Sequence, residues 1–152
     1  MIYIIEGVDG TGKSTMANLI ADATRTNIMH MEQPVDSAPG VMFSSYMDII
    51  TNHKDLILDR AWYSEMIYGP VFRKHSQIPI SDMFKLEKEL IGNAVIIYCR
   101  TSNIQKTWLN CKERGEDFVP AENYAGLFES YEKLMLHTKH LIPVLSYEIP
   151  DI

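Results

Sequence analysis

Cysteine is scarce: Cys99 and Cys111 are the only two in 152 residues. They lack CxxC spacing, so neither a disulfide framework nor a thiolate zinc site is expected, and two isolated thiols suggest a reducing compartment such as the cytoplasm. No apolar run approaches the roughly 18 residues that a membrane span requires, so no membrane partner is expected. No basic segment and apolar stretch precede Glu6, so no secretory signal is expected either. Positive charge is also short, with 14 Lys and Arg against 20 Asp and Glu and a net charge of -6. That counts against a general nucleic-acid-binding surface but leaves room for a local basic pocket. Repeats, low-complexity stretches and linkers are missing. With 46% hydrophobic and 22% charged residues, the chain reads as one globular domain over residues 1–152.

Short apolar runs at residues 2–5, 55–58, 94–98 and 141–145, with a weaker one at 27–31, read as buried strands. Helical spacing lies between them. Met16, Leu19 and Ile20 recur on one face, as do Met83, Leu86 and Leu90 ahead of Gly92, a plausible helix stop. Ser102 and Gln105 have capping-box spacing, and Ile104, Trp108 and Cys111 share the face that follows. After Pro120 come Tyr124, Leu127, Phe128, Tyr131, Leu134 and Met135 in a wide stripe. Residues 31–40 read as a loop because of Pro34, Pro39 and Gly40. Alternating strands and helices predict an α/β fold with a mostly parallel sheet covered on both faces, and a ligand beyond the carboxyl ends of its strands.

The sequence EGVDGTGKST, residues 6–15, carries the most chemistry. Gly7, Gly12, Lys13 and Ser14 satisfy G-x-x-x-x-G-K-[ST], with a strand before and a helix after. Glycines let backbone N–H groups approach phosphates without Cβ clashes, and a helix starting near Lys13 adds its positive end. Gly7, Asp9, Gly10, Thr11, Gly12, Lys13, Ser14 and Thr15 are therefore the expected nucleotide-binding segment. Lys13 should reach the β- and γ-phosphates and Ser14 should serve Mg²⁺. ATP and Mg²⁺ are the cofactors expected.

Residues 55–73, DLILDRAWYSEMIYGPVFR, are the second informative stretch. Three aliphatics end in Asp59, as in a Walker-B strand, where an acid orients Mg²⁺ or its water. Arg60 follows at the sheet's carboxyl edge, suited to bidentate capture of a phosphate; the alternative is that Asp59 and Arg60 form a surface ion pair. Trp62, Tyr63, Tyr68 and Phe72 offer flat surface for a base, although about half of such aromatics simply pack the helix.

These motifs together resemble the thymidylate kinases and related deoxynucleoside kinases of the P-loop superfamily. EGVDGTGKST is similar to the thymidylate kinase fingerprint, DR followed by SEMIYG to the acceptor-side motif, and residues 98–135 to the stretch from the fourth strand through the lid. The resemblance implies a five-stranded parallel sheet ordered 2-3-1-4-5, a lid near residues 111–120 and a homodimer. It also implies an ATP-dependent phosphotransferase acting on a deoxynucleoside monophosphate, thymidylate-like first. Asp9 would approach the acceptor sugar, and Asp59 and Arg60 would serve magnesium and the acceptor phosphate. Arg100, Lys112 and Arg114 would close on the transferring group; for Lys112 and Arg114 the alternative is a solvated helix end.

Residues 31–35, MEQPV, depart from the pattern. In register with Pro34 the nucleoside kinases' glutamate base is Gln33, and an amide accepts no proton. Either Glu32 substitutes, or Asp59 or Asp9 does, or the acceptor is already a phosphate. The thymidylate kinases' arginine is missing at Glu32. Shortened loops would leave a more open site, so a hydroxyl acceptor stays in view: a free deoxynucleoside, or hydroxymethyluracil in phage DNA, which places a phage-encoded chain in its host's cytoplasm. A DNA acceptor would need Lys54, Arg73, Lys74, Lys106 and Lys112 on one face. A nucleotide-dependent switch needs neither an acceptor-side Asp-Arg pair nor a basic lid. His30, His53, His75, His137 and His140 show no metal-ligand spacing, and His137 and His140, three apart at a helix end, read as solvated or capping residues. Cys99 reads as a small buried hydrophobe.

Overall fold

In a computed structural model of the protein, residues 1–31, 37–115 and 119–149 are described. The five strands are β1 (Ile2–Glu6), β2 (Ile28–His30), β3 (Leu56–Asp59), β4 (Ala94–Arg100) and β5 (Val144–Glu148). All four pairings are parallel, and the order is β2-β3-β1-β4-β5, as the resemblance implies. Parallel neighbours need crossovers, and helices supply them: α1 (Lys13–Thr24), α2 (Val41–Asn52), α3 (Trp62–Phe72), α4 (Ile80–Leu90), α5 (Ile104–Glu113) and α6 (Ala121–Leu136). No helix among the described residues is long and apolar enough to cross a membrane.

The pleat sorts side chains between two cores. Ile2 and Ile4 of β1, Leu56 and Leu58 of β3, and Ala94, Ile96 and Tyr98 of β4 face the larger core, filled by Trp62, Tyr63, Met83, Leu86, Tyr124, Leu127 and Tyr131. Ile5, Ile57 and Cys99 face the smaller one under Ala17 of α1. The same alternation sends the last residues of neighbouring strands to opposite faces. Glu6 continues the Ile2–Ile4 face into the large core, and Asp59 continues the Ile57 face toward α1. Burial raises the Cys99 thiol pKa to about 11, as expected of an inert packed thiol.

Several boundaries differ from expectation. The fifth strand begins at Val144, three residues later than its apolar run, because Pro143 has no N–H for the ladder and contributes only its carbonyl, to Ile96 N at 2.9 Å. Leu19 is exposed while Ala17 is buried, so α1 presents a narrower face than the pattern suggested. The cap of α5 is Asn103, whose side chain accepts from Lys106 N at 3.0 Å, one residue after the expected Ser102. Helix α2, with Tyr46 and Ile50 buried, was not anticipated.

His140 is also unlike its expectation. Its side chain is only 2% exposed, with Nδ1 2.7 Å from Glu87 Oε2 and Nε2 2.7 Å from the Leu134 carbonyl. Both neighbours are acceptors, so both ring nitrogens carry protons. Burial works against that charge, but the Glu87 and Leu134 hydrogen bonds outweigh it and raise the pKa. The charged form is favoured by folding, so this stabilisation is complete below the unfolded pKa of about 6.5 and lost as pH rises through the higher folded value. Thermal midpoints should therefore fall above pH 6.5, and His140→Gln should flatten that decline. An unchanged profile in the variant would mean that the pair does not titrate in this range.

Candidate active site

The loop after β1 is shaped by its glycines. Gly10 and Gly12 have φ of +82° and +81°, where a side chain is strained, and a Cβ at Gly10 would strike Cys111 Sγ. Thr11 Oγ1 and Lys13 Nζ both donate to the Val8 carbonyl at 2.7 Å, closing the turn from within. Gly12 caps α1, so the helix's first N–H groups face the loop. Tyr124 of α6 donates to the Asp9 carbonyl at 2.5 Å and ties the loop's outer side to the bundle.

A cavity of about 450 Å³ opens here. It is lined by Asp9, Gly10, Gly12, Lys13, Ser14 and Thr15 of the loop and α1, by His30, Met31, Asp59 and Arg60 at the ends of β2 and β3, and by Arg114 at the end of α5. Gly7 and Thr11 shape the loop from behind. Burial, then the nearby Arg60 charge, lowers the Lys13 pKa to about 8, against the pull of Asp9, Glu6 and Asp59. A cation so desolvated has much to gain from an anion.

A second part of the lining comes from the ends of β2 and β3. Asp59 and His30 are register partners in the parallel sheet, which brings His30 Nδ1 2.9 Å from Asp59 Oδ2. Arg60 follows with φ +72°, a conformation rare for a side-chain-bearing residue, held by its N–H bond of 3.0 Å to the Ile5 carbonyl. Its guanidinium pairs with Asp9, reaches Ser64 Oγ at 3.3 Å and lies 5.4 Å over the Tyr68 ring. Behind it Glu6 is fully buried. Glu6 Oε1 accepts from Ala61 N at 2.7 Å and Ser64 N at 3.3 Å, and Oε2 from Ser64 Oγ at 2.7 Å and Tyr131 Oη at 2.9 Å. Burial raises this carboxyl's pKa, while Arg60 and these donors draw it back.

No protein-family model matches the chain. Among curated proteins it is similar to the SPbeta prophage-derived uncharacterized protein YorR of Bacillus subtilis (strain 168), at 22% identity over 144 residues, covering 90% of this chain and 86% of YorR. The crystal structure of YorR in complex with phosphorylated GDP superposes with a TM-score of 0.85 at 19% identity, over 97% of this chain and 85% of that one. Deoxyadenosine kinase from M. mycoides, with products dCMP and a flexible dCDP bound, gives 0.61 at 19% identity, over 97% and 90%. A gluconokinase from Sinorhizobium meliloti 1021 gives 0.60 at 13% identity, over 99% and 83%. The chain has the P-loop kinase fold.

On that P-loop kinase fold, the residues expected from sequence separate into two groups. Asp9, Lys13, Ser14, Thr15, Asp59, Arg60 and Arg114 meet at the cavity. Arg100 does not. Its guanidinium is bound by Glu132 and faces Glu148 at 3.5 Å, so two carboxylates hold it at the carboxyl end of β4, outside the cavity lining. Lys112 also points elsewhere, with Nζ 5.4 Å over the Trp108 ring. Trp62 and Tyr63 are 0% exposed and belong to the core, not to an acceptor surface, because the helix they begin packs its first turn inward. Tyr68 is half-buried beside Arg60, and Phe72, stacked on it at 6.2 Å, is half-exposed. Glu32 and Gln33 lie outside the described residues, as do 116–118 in the lid region, whose flanks are joined by a 2.9 Å bond from Trp108 Nε1 to the Val119 carbonyl.

Tyr63 Oη instead donates to the buried Glu87 at 2.6 Å. Tyr63→Phe should therefore cost roughly 1.5–3 kcal/mol of stability, the worth of a hydrogen bond to a charged group. Denaturant unfolding checks this, and a loss of acceptor affinity without a loss of stability would return Tyr63 to the site. Sequence reading missed Glu6 and His30. Each had a signal: an acid and a histidine at the carboxyl ends of apolar strands, where ligands of such sheets bind.

Proposed function

We propose that this chain is an ATP- and Mg²⁺-dependent kinase that phosphorylates a deoxynucleoside monophosphate, with a thymidylate-like pyrimidine first. The carrying observation is the convergence of Lys13, Arg60 and Arg114 on one cavity at the N-terminus of α1. Phosphoryl transfer asks little covalent work of a protein; it needs positioned charge around the moving group. In this reading the loop amides and Lys13 hold the triphosphate, Arg60 takes the acceptor phosphate, and Arg114 covers the transferring group from the lid side. YorR's phosphorylated GDP and the dCMP and dCDP of the deoxyadenosine kinase show that related scaffolds hold nucleotides.

The magnesium assignment fits the donors present. Ser14 and Asp59 line the same cavity, and a hydroxyl with a carboxylate is the hard oxygen set that Mg²⁺ prefers. His30 occupies one Asp59 oxygen and orients the carboxylate, so the other oxygen is the one offered to the ion or its water. When bound, the ion neutralises charge on the phosphates.

A monophosphate is favoured over a hydroxyl acceptor by the state of the carboxylates. Among the described residues lining the cavity, Asp9 is paired with Arg60 and Asp59 with His30. Each carboxylate thus already has a partner, and an acceptor phosphate needs no base. The prophage origin of YorR supports a phage-type nucleotide-metabolism setting.

The test is an acceptor panel with Mg²⁺ and γ-labelled ATP: thymidine, dTMP, hydroxymethyl-dUMP, the other deoxynucleoside monophosphates, and DNA containing thymine or hydroxymethyluracil. Label on a monophosphate supports the reading and names the base. Label on thymidine or on DNA alone overturns the acceptor assignment and moves attention to Glu32 and the His30–Asp59 pair as the base.

A further inference from the structure

Helix α3 starts without a cap of its own. Its first flanking residue is Ala61, and no side chain next to it in sequence satisfies the exposed amides. The cap comes from 55 residues away: Glu6, at the end of β1, accepts from the backbone N–H groups of Ala61 and Ser64. Its second oxygen receives the hydroxyl protons of both Ser64 and Tyr131. A hydroxyl has one proton. With that proton committed to Glu6, the Ser64 oxygen can only accept; its charged donor is Arg60 Nη1 at 3.3 Å, and the Tyr131 hydroxyl, whose own proton also faces Glu6, lies 3.0 Å away. The carboxylate thus fixes the polarity of the hydroxyl contact that, with Asp9 and the Tyr68 face, steadies the Arg60 guanidinium.

We propose that Glu6, on the reading of this chain as a phosphotransferase, is a positioning residue that aims the Arg60 guanidinium into the cavity by way of Ser64. Glu6 touches neither nucleotide nor acceptor; it acts through another residue. A neutral isostere separates this role from simple structural support. In Glu6→Gln the amide oxygen can still cap Ala61 and Ser64. Its NH₂ group then donates to Ser64 Oγ, so the Ser64 proton loses its acceptor at residue 6, must turn toward Arg60 or Tyr131, and loosens the guanidinium.

The experiment combines a spectroscopic and a kinetic readout on the full chain. The Arg60 side-chain Nε–H resonance, identified by its loss in Arg60→Lys, should shift in Glu6→Gln while the Arg100 resonance stays in place. Acceptor kcat/KM should fall on the order of 10–100-fold, as for lost positioning partners, with the KM for ATP nearly unchanged. In an Arg60→Ala background the same substitution should change acceptor use by less than about twofold, since coupled residues are not additive. Ser64→Ala breaks the relay while leaving the capped amides in place, and should reproduce the Arg60 shift even where Glu6→Gln folds poorly. An unmoved Arg60 resonance in Ser64→Ala, or equal kinetic losses in the presence and absence of Arg60, overturns the proposal. If the wild type phosphorylates nothing in the acceptor panel, the kinase reading fails by itself, and the resonance shift still decides the Glu6–Arg60 relay.

Discussion

Lys13→Ala should lose phosphoryl transfer by at least 10²–10³-fold, the order seen when a preorganised charge-stabilising group is removed, while the protein stays folded. Both halves follow from the environment of Nζ. The amine is buried with its pKa lowered to about 8, so the ligand-free protein carries a poorly solvated cation that a triphosphate would satisfy. Folding gains little from that cation. Nζ donates to the Val8 carbonyl, which also accepts from Thr11 Oγ1 at 2.7 Å and so keeps a partner when Lys13 is truncated. Thermal unfolding should then show a midpoint unchanged or slightly raised. Retained turnover would remove the phosphate-loop assignment, and an unfolded variant would make Lys13 structural.

The second large effect belongs to Arg60. Arg60→Ala should lower acceptor kcat/KM on the order of 10²–10³-fold and leave ATP binding within a few-fold. The guanidinium is held from three sides, by Asp9, Ser64 and the Tyr68 face, and it shares the cavity with Lys13. On the proposed reading, an acceptor phosphate entering there would displace the Asp9 pairing and gain a fork already beside the cavity. Arg60→Lys should not rescue, because an ammonium cannot present two parallel donors. Steady-state kinetics with varied acceptor decide this. A small effect would transfer the role to Arg114, since Glu132 and Glu148 already hold Arg100.

Much of the fold was legible because its signals are local. An apolar strand, a G-x-x-x-x-G-K-S turn and a helical stripe each announce themselves within about ten residues, and parallel topology follows from their alternation. Lys13, Ser14, Asp59 and Arg60 stood out for the same reason, each sitting in a short local motif, and Asp9 through the resemblance; all five line the cavity. Other features depended on contacts distant in sequence. Whether Trp62 faces a ligand or the core is decided by α2 and α6 packing around it, as in its edge-on contact with Tyr46 at 5.4 Å. Arg100 looks like a transfer-site cation until α6 brings Glu132 beside it. His140 resembles a solvated helix-end residue until Glu87 arrives from α4. Glu6 could be seen as an acid at a strand end, but not as the cap of a helix 55 residues later.

The most direct test is ³¹P NMR of the wild-type protein with MgATP and dTMP, followed over time. The account predicts decay of the ATP γ-phosphorus signal with matching growth of a β-phosphorus signal from a new nucleoside diphosphate, and neither change in Lys13→Ala. Unchanged ATP with every deoxynucleoside monophosphate, or conversion to inorganic phosphate alone, would contradict it.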